Sequence, residues 1–392
     1  MRQSTKCILF AVLLLLSGCI YPFHADIESE SIDKIVVSGD IIIGGTTRIT
    51  LGYVYPLSTL PSDMRGNYPM GAVTIENDSG GRWEGTYSFN GIYSFDTTEA
   101  PAAGRYRLHI LLKDGREYST PWTGVKQAPV ITNFRYKGGS QGVAIYLSLD
   151  GADSLWNFRW DYTESWEYHA DFVPELMYVP GLPPEDQQNP SKIYREPFPS
   201  EIKTTCWNSY STIEPGLASA EGQSDNVLKD ICIHSMPSSD RRISVRYSML
   251  LTVRGLSSEA LSWHRHMNAL SNESGSLFSP TPSEMQGNVR CISDETQTAL
   301  GYVDVVCCVS KRIYVPGSFY RRPYDPEAFL YFPEPDEDGR YYFEQYYFSG
   351  DAPVRGEPTL RGVEWAPKRC TDCTVLGGST TAPEWWNIRD WK

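Results

Sequence analysis

The chain has 392 residues and a formal net charge of -13 at pH 7, and its 35 Lys and Arg residues are scattered rather than clustered. Nucleic-acid binding depends on basic side chains that neutralise phosphates, so this balance argues against a nucleic-acid partner. The length predicts two domains, and the aromatic content of 13% favours strands over helical bundles.

Residues 1–18 have the pattern of a signal peptide. Arg2 and Lys6 give a positive start, and the apolar run that follows is about ten residues long, too short to span a bilayer. The tetrapeptide Leu-Ser-Gly-Cys, which ends at Cys19, resembles the lipobox of bacterial lipoproteins. That resemblance implies cleavage before Cys19, a diacylglyceryl thioether on its sulfur and an acylated amino group, which together would anchor the chain stably. Residues 19–32 would form a tether.

Strand patterns begin after the tether and continue to residue 126. The stretch 105–112 alternates apolar and polar residues, and the pair Asp114-Gly115 that follows is a strong hairpin signal. Several short strands at regular spacing, with turn signals between them and no helical run, predict an immunoglobulin-like β-sandwich over residues 33–126.

Residues 127–392 predict a second, larger β-rich domain that is sandwich-like, so the fold class is mostly β. The aromatic stretch 154–172 predicts a pair of long strands, and the stretch 299–315 predicts a buried strand. The C-terminal segment is rich in Pro, Tyr and Trp, and we expect it to wrap around this second domain.

One short α-helix is predicted near residues 257–271. Ser257 is a candidate N-cap because its side chain can accept a hydrogen bond from the first turn. The residues that recur at helical spacing as a buried stripe are Ala260, Trp263, Met267 and Leu270. His264 and His266 are two residues apart and point to different faces of a helix, so they do not have the spacing of a zinc pair.

Cysteine usage predicts disulfides in an exported chain. Seven cysteines follow Cys19, and the odd number leaves at least one thiol unpaired. Cys370 and Cys373 form the simplest local pair, and Cys206 with Cys232 a longer one, although the connectivity stays open. A half zinc site and a redox Cys-x-x-Cys motif are the alternatives for Cys370 and Cys373, and a structural disulfide is favoured over both.

Two aromatic stretches are the candidate ligand-facing surfaces. Trp160 and Trp166 belong to the first, and Tyr342 and Tyr346 belong to the second, residues 339–348. If one face of the second stretch is exposed, its rings could stack on a sugar or a peptide or mark a protein interface. If it is not exposed, the stretch is a core strand.

Catalytic chemistry has weak support in the sequence. There is no nucleophile elbow, P-loop or His-Glu-x-x-His motif, and we predict no catalytic residue, no metal site and no cofactor. Glu164 and Glu167 lie among tryptophan and tyrosine residues, a combination that imitates a sugar-cleaving cleft. The competing interpretation, a β-hairpin whose rings pack across strands, is favoured.

Several motifs in chain order resemble the lipoproteins known as domain of unknown function 4249. They include "FRWDYTESWEYHADF", "CWNSYST", "RYSMLLTVRGLSSEALSWHRHM" and the ending "CTDCTVLGGSTTAPEWW". The resemblance implies an outer-membrane lipoprotein of Bacteroidetes-type bacteria, commonly paired with a TonB-dependent transporter of the SusC type. It implies no established enzyme activity. The match of Cys370, Asp372 and Cys373 to the family's Cys-x-Asp-Cys ending supports a structural role for these cysteines.

The resemblance and the anchor signal favour a non-enzymatic accessory lipoprotein that helps a TonB-dependent transporter to capture a nutrient or peptide. The ligand is not identified by the sequence. The alternatives are a surface glycan or peptide hydrolase and a structural or adhesive surface protein. Surface exposure of such lipoproteins often follows acidic residues close to the lipidated cysteine, and Asp26, Glu28 and Glu30 come somewhat later here. The cell surface is therefore the predicted location, with the periplasmic face left open.

Overall fold

The computed structural model describes residues 34–55, 59–64, 66–152, 155–273 and 287–387. The predicted signal peptide, the lipidation site Cys19 and the tether lie outside the described residues. The chain is mostly β, as predicted, and two pairs of facing sheets carry most of its strands. Within the described ranges, no helix is both long and apolar enough to cross a membrane.

The strands are short in the first third of the chain and longer in the second. The first ten are β1 (Ile35–Ser38), β2 (Ile41–Ile42), β3 (Thr46–Tyr53), β4 (Gly71–Asn77), β5 (Arg82–Glu84), β6 (Thr86–Tyr87), β7 (Ile92–Asp96), β8 (Arg105–Leu112), β9 (Glu117–Ser119) and β10 (Thr123–Gly124). The next nine are β11 (Val130–Gly139), β12 (Gly142–Asp150), β13 (Asn157–His169), β14 (Met177–Tyr178), β15 (Tyr194–Arg195), β16 (Thr205–Ser211), β17 (Gly216–Ser219), β18 (Val227–Pro237) and β19 (Arg246–Leu256).

The C-terminal third has fewer strands, and the α-helices of the described residues are short apart from the one that begins at Ser258. Its strands are β20 (Arg290–Cys291), β21 (Ala299–Leu300), β22 (Val305–Val306), β23 (Cys308–Pro316), β24 (Asp351–Gly356) and β25 (Val363–Pro367). The α-helices of the described chain are α1 (Pro61–Met64), α2 (Pro190–Ile193), α3 (Ser258–Glu273) and α4 (Phe343–Phe348). Single 3-10 turns occupy Pro199–Glu201, Arg241–Ile243, Gly317–Phe319, Pro326–Phe329, Lys368–Cys370, Cys373–Leu376 and Glu384–Asn387.

The first sandwich consists of one sheet in the order β21-β1-β3-β7-β6 and a second in the order β20-β9-β8-β4-β5, with β10 also paired to β8. Its core comes from the inward positions of both sheets. Leu108 and Ile110 of β8 are fully buried, while Leu111, the residue after Ile110, is 45% exposed. The alternation predicted for this strand is confirmed, and so is the hairpin, because β8 pairs antiparallel with β9 across the turn at Gly115.

A late segment of the chain completes the first sandwich. Residues 290–306, which the sequence placed in the second domain, add β20 and β21 to its two sheets, and β22 pairs with β2. The predicted single strand over 299–315 is therefore wrong. The chain forms β21 and β22 against the first sandwich, then crosses over and forms β23 in the second. A local pattern cannot show this because both partners are remote in sequence.

The second sandwich packs the sheet β11-β12-β18 against the sheet β16-β13-β19-β23. The stretch predicted as a strand pair is one strand, β13, of 13 residues. It pairs with β19 from Asn157 to Glu167 on one side. On its other side it pairs first with β17 and then with β16, so the strand needs no turn of its own to satisfy its hydrogen bonds.

The predicted helix is present as α3. The Oγ atom of Ser257 accepts a hydrogen bond from the Ala260 amide at 3.1 Å, which is the expected N-cap. Ala260 and Leu261 are buried, whereas Met267 of the predicted stripe is 39% exposed. The helix thus buries Ala260 and Leu261 of its first turn and His264 of its second, and through His264 it contacts the junction between the two sandwiches.

A cluster of buried charges joins the two sandwiches. Asp40, between β1 and β2, is 4% exposed, and its Oδ2 accepts hydrogen bonds from Arg254 at 3.0 Å and from Arg159 at 3.2 Å. Arg254 also pairs with Asp161. His264 of α3 lies against Arg159, and burial together with the charge of that guanidinium lowers the pKa of His264.

Residues 171–203 and 317–387 together form what we call the C-terminal lobe, which has little regular structure and packs on the second sandwich. A disulfide ties the lobe to strand β16 by joining Cys206 to Cys373. The predicted pairings of Cys370 with Cys373 and of Cys206 with Cys232 are therefore wrong. Cys370 is buried in another cluster of the lobe, and Cys232 is exposed on β18 of the opposite sheet.

Replacement of Cys206 by Ser removes a covalent link between positions separated by 167 residues. Because loss of a native disulfide costs about 2–5 kcal/mol in the free energy of unfolding, we expect Cys206→Ser to lower the Tm measured by calorimetry without reductant. Cys232→Ser, which removes an exposed free thiol, is the matched control and should melt like the parent chain. A non-reducing peptide map that joined Cys370 to Cys373 would contradict the assignment.

Candidate ligand-binding cleft

The four aromatic residues predicted to face a ligand do not form one surface. Trp160 is 7% exposed and belongs to the core of the second sandwich, so its predicted role is wrong. Trp166, on the same strand, is partly buried between that core and a smaller cluster around the disulfide. Tyr342 and Tyr346 lie far along the chain, in the C-terminal lobe.

The second aromatic stretch forms the helix α4 rather than a strand. A helix brings Phe343, Tyr346 and Tyr347 to one side at i, i+3 and i+4, and that side packs on an aromatic base around Trp365. Tyr342 is 50% exposed and Phe348 is 72% exposed. The stretch therefore supplies both core rings and exposed rings. In a strand, alternate residues face opposite sides, so different rings would have been buried.

Glu164, the first carboxylate considered for catalysis, is 1% exposed and surrounded by donors. Arg242 donates to both of its oxygens at 2.9 and 3.0 Å, and Tyr247 donates to Oε1 at 2.6 Å. The Nε2 atom of His234 lies 2.9 Å from Oε1. Burial disfavours ionisation of Glu164, but the bonds from His234 and Tyr247 and the charge of Arg242 outweigh it and hold its pKa below the ordinary value.

Glu167 is also enclosed. Its Oε2 accepts a hydrogen bond from the indole of Trp386 at 3.0 Å, and its Oε1 lies 3.0 Å from the ring of His169. Because Glu164 faces the interior of the sandwich and Glu167 is covered by the end of the C-terminal lobe, the two carboxylates do not share a cleft. Their side chains act as internal ion-pair and hydrogen-bond partners.

A polar cleft of about 370 Å³ opens where the second sandwich meets the C-terminal lobe. Three chain segments supply its walls: the end of β13 with the residues after it, the 3-10 turn before β19, and the segment that follows β23. The lining residues are His169, Asp171, Arg241, Ser244, Val245, Tyr320, Arg322 and Tyr324. The volume is in the usual range for a small-molecule site, about 300–1,000 Å³.

Charged groups converge on this cleft. The side chain of Asp171 is 7% exposed, accepts a hydrogen bond from the Tyr324 hydroxyl at 3.1 Å and lies 3.3 Å from Arg322. Burial and the neighbouring charge of Asp171 raise the pKa of Tyr324, so this hydroxyl stays protonated and donates. Arg241 donates to the carbonyl oxygen of His169 at 2.8 Å and stacks over the ring of Tyr168.

A larger cleft of about 530 Å³ lies at the turn between β11 and β12. Backbone and small residues, including Gly138, Gly139 and Gly142, supply most of its wall, and Lys137 is the one charged side chain that lines it. It lacks the convergent polar groups that fix a ligand's orientation. The smaller cleft is therefore the better candidate site.

Sequence reasoning missed the residues of this cleft. Its arginines occur in two Arg-Arg pairs, at 241–242 and 321–322, and these pairs are a signal that could have drawn attention to the two segments. In the fold one member of each pair lines the cleft, Arg241 in one and Arg322 in the other. Asp171 and Tyr324 offered no such signal, because they meet only through the packing of the lobe.

Comparison with known proteins gives one family. The family described as domain of unknown function (DUF4249) matches residues 20–312. No curated protein matches the chain. A solved structure, described as the complete structure of manganese lipoxygenase of Gaeumannomyces graminis and partial structure of zonadhesin of Komagataella pastoris, is 10% identical over 59% of this chain and 91% of its own. Its TM-score is 0.15, so this likeness carries no argument.

The family match includes the whole of both sandwiches up to the middle of β23, and it ends before most of the C-terminal lobe. It spans about three quarters of the chain. The chain therefore belongs to the DUF4249 family.

Proposed function

We propose that the protein is a lipid-anchored accessory protein of the outer membrane that captures a small ligand for a TonB-dependent transporter. The observation that carries the capture role is the cleft between the second sandwich and the C-terminal lobe, where two arginines, a buried carboxylate and two tyrosines converge. The lipobox-like sequence that ends at Cys19 supports the anchor, and the resemblance to transporter-associated lipoproteins supports the partner.

Binding fits the cleft better than catalysis. Glycoside hydrolysis by the usual routes needs two carboxyl groups on either side of the scissile bond. Asp171 is the one carboxylate among the described residues that line the cleft, and it is engaged by Arg322 and Tyr324. Glu164 and Glu167, on which the hydrolase alternative rests, are enclosed elsewhere. We therefore propose a non-enzymatic role that needs no metal or cofactor.

The proposed location is the outer membrane, with the two sandwiches on the cell-surface side. Asp26, Glu28 and Glu30 after the lipidated cysteine support this orientation. A capture protein on that side meets its ligand before the transporter does, and it can pass the ligand on without crossing the bilayer. The periplasmic side is the alternative, and protease treatment of whole cells distinguishes the two.

The anchor is tested by Cys19→Ala. Because the sulfur of Cys19 would carry the diacylglyceryl group, we expect the variant to lose incorporation of labelled palmitate and to leave the outer-membrane fraction. Cys7→Ala, which changes a cysteine inside the proposed signal peptide, is the matched control and should be lipidated normally. Unchanged labelling of Cys19→Ala would exclude the proposed anchor.

The transporter partner is tested by affinity purification from detergent-solubilised outer membranes. We expect a TonB-dependent transporter to co-purify with the tagged chain in near-stoichiometric amount, identified by mass spectrometry. An unrelated tagged outer-membrane lipoprotein, purified in parallel, controls for transporters that are merely abundant. If detergents that preserve a known transporter pair yield no transporter with this chain, the proposed partnership is wrong.

Glu164→Gln separates a structural from a catalytic role. The variant keeps the side-chain shape but removes the buried charge that Arg242 and His234 face, while Arg242 keeps Asp240 as a partner, so we expect the free energy of unfolding at pH 7 to fall by about 3 kcal/mol. Ligand binding in the cleft should be unchanged. Urea unfolding measures the loss, and Glu185→Gln, at an exposed position, is the matched control.

The pH dependence of this difference has a definite sign. The folded-state pKa of Glu164 is lowered, so its contribution is complete above the ordinary glutamate pKa, about 4.3, and is lost as the pH falls through the folded value. The stability gap between the parent chain and Glu164→Gln should therefore narrow on acidification below that range. A gap that widened would contradict the ion-pair role of Glu164, and a variant of unchanged stability that lost hydrolytic turnover would favour a catalytic role.

A further inference from the structure

The cleft at the C-terminal lobe is a positive feature on a chain whose formal net charge is -13. Arg241 and Arg322 line it, and within the described ranges Asp171 is the one carboxylate that does so. Because Asp171 lies 3.3 Å from Arg322, that pair is close to neutral. The charge of Arg241 is then left to act on whatever enters, and a low-dielectric wall of tyrosine rings strengthens it.

Hydrogen-bond donors in the cleft exceed the acceptors around them. A guanidinium has five N–H donors, and in the described part of the chain Arg241 uses one of them on the His169 carbonyl. Ser244 lines the cleft, and its hydroxyl oxygen is buried without a hydrogen-bond partner among the described atoms. A buried hydroxyl without a partner costs free energy, so a ligand atom that bonded to it would recover that cost.

The charge and the donors together restrict the ligand. An excess of one positive charge suits a monoanion, and a planar guanidinium matches a carboxylate with two parallel N–H···O bonds. Tyr320 and Tyr324 also line the cleft, and their aromatic side chains can pack against the apolar part of a ligand beside its carboxylate.

We propose that this cleft binds the carboxylate of a small ligand, with Arg241 as the main anion-binding residue, Ser244 as a second donor and Arg322 as the group that offsets Asp171. This assignment rests on the proposed function, because it names the class of ligand that the capture protein takes. Two sources carry such a group: the free C-terminus of a short peptide and an acidic sugar.

The test is calorimetric titration of the purified full-length chain with matched probes. N-acetyl-trialanine carries a C-terminal carboxylate, which its C-terminal amide lacks. Glucuronate likewise carries a carboxylate where glucose carries a hydroxymethyl group. We expect saturable binding of at least one acid, at least about tenfold tighter than its neutral partner. Tighter binding of the peptide acid or of glucuronate identifies the source, and inorganic phosphate is titrated as a competing anion.

Variants test the residues. Arg241→Gln should weaken binding of the acid by about tenfold or more, and Arg241→Lys should be intermediate because it keeps the charge but loses the planar fork. Arg322→Gln should also weaken binding, because it leaves Asp171 uncompensated. Arg135→Gln is the matched control. Its side chain has the same 42% exposure as that of Arg322 and pairs with one aspartate, but it lies on β11 outside the cleft.

Three outcomes overturn the assignment: equal binding of acid and amide, no saturable binding of any carboxylate probe up to about 10 mM, or tighter binding of phosphate than of either acid. The acid–amide comparison uses the unmodified chain, so it decides the matter even if Arg241→Gln does not fold. If a transporter co-purifies but no carboxylate binds, this inference fails alone. If a carboxylate binds but no transporter co-purifies, the proposed partnership fails and the site stands.

Discussion

The buried carboxylate of Asp40 is the contact on which the arrangement of the two sandwiches depends. It comes from the first sandwich, and the arginines that neutralise it, Arg159 and Arg254, come from neighbouring strands of the second. Removing one partner of a buried ion pair leaves an uncompensated charge and costs several kcal/mol. Neither sandwich could therefore move away from the other without leaving the Asp40 carboxylate uncompensated. The return of residues 290–306 to the first sandwich adds a second link.

Strand β13 carries that constraint to the cleft. Arg159 near its start lies at the junction, and His169 at its end lies at the cleft, ten residues or about 33 Å away along the strand. A shift of its register by one residue would turn every side chain to the other face. Pairing with β19 from Asn157 to Glu167 fixes that register, and the Cys206–Cys373 disulfide then holds the C-terminal lobe against the strand beside it. The position of the cleft walls thus depends on the same pairing of β13 with β19 that fixes the junction between the two sandwiches.

The sequence predicts well those structural features that depend on contacts between residues close together in the chain. The alternation of β8, the Asp114-Gly115 hairpin and the Ser257 cap each depend on contacts within a few residues, and all three are present. The mostly β fold class follows from the same local patterns. By contrast, the aromatic residues at close intervals in 154–172 predict a pair of strands, and only the partners on both edges of β13 show that it is one strand.

The disulfide and the cleft could not be predicted from the sequence, for a related reason. Cys370 and Cys373 are three residues apart in sequence, but the 3-10 turns at 368–370 and 373–376 send their sulfurs into different clusters. Of the predicted ligand-facing residues, Trp160 lies in the core. Tyr342 is exposed at the start of helix α4, in a stretch for which the sequence offered a core strand as the alternative. The cleft residues come from three segments that have no pattern in common, so only the folded chain identifies them.

Two arginine–carboxylate groups, one inside the second sandwich and one in the C-terminal lobe, show why burial alone does not mark a binding site. Glu164 accepts hydrogen bonds from Arg242 and Tyr247, lies against His234, and has a side chain that is 1% exposed. Asp171 has the same chemistry, but its partner Arg322 is 42% exposed. The network at Glu164 stabilises the fold, because a ligand would have to displace a protein donor to reach its enclosed carboxylate. An unsaturated network at a surface cleft can gain a ligand atom without losing a protein contact, and that difference places the recognition chemistry at Arg241 rather than at Glu164.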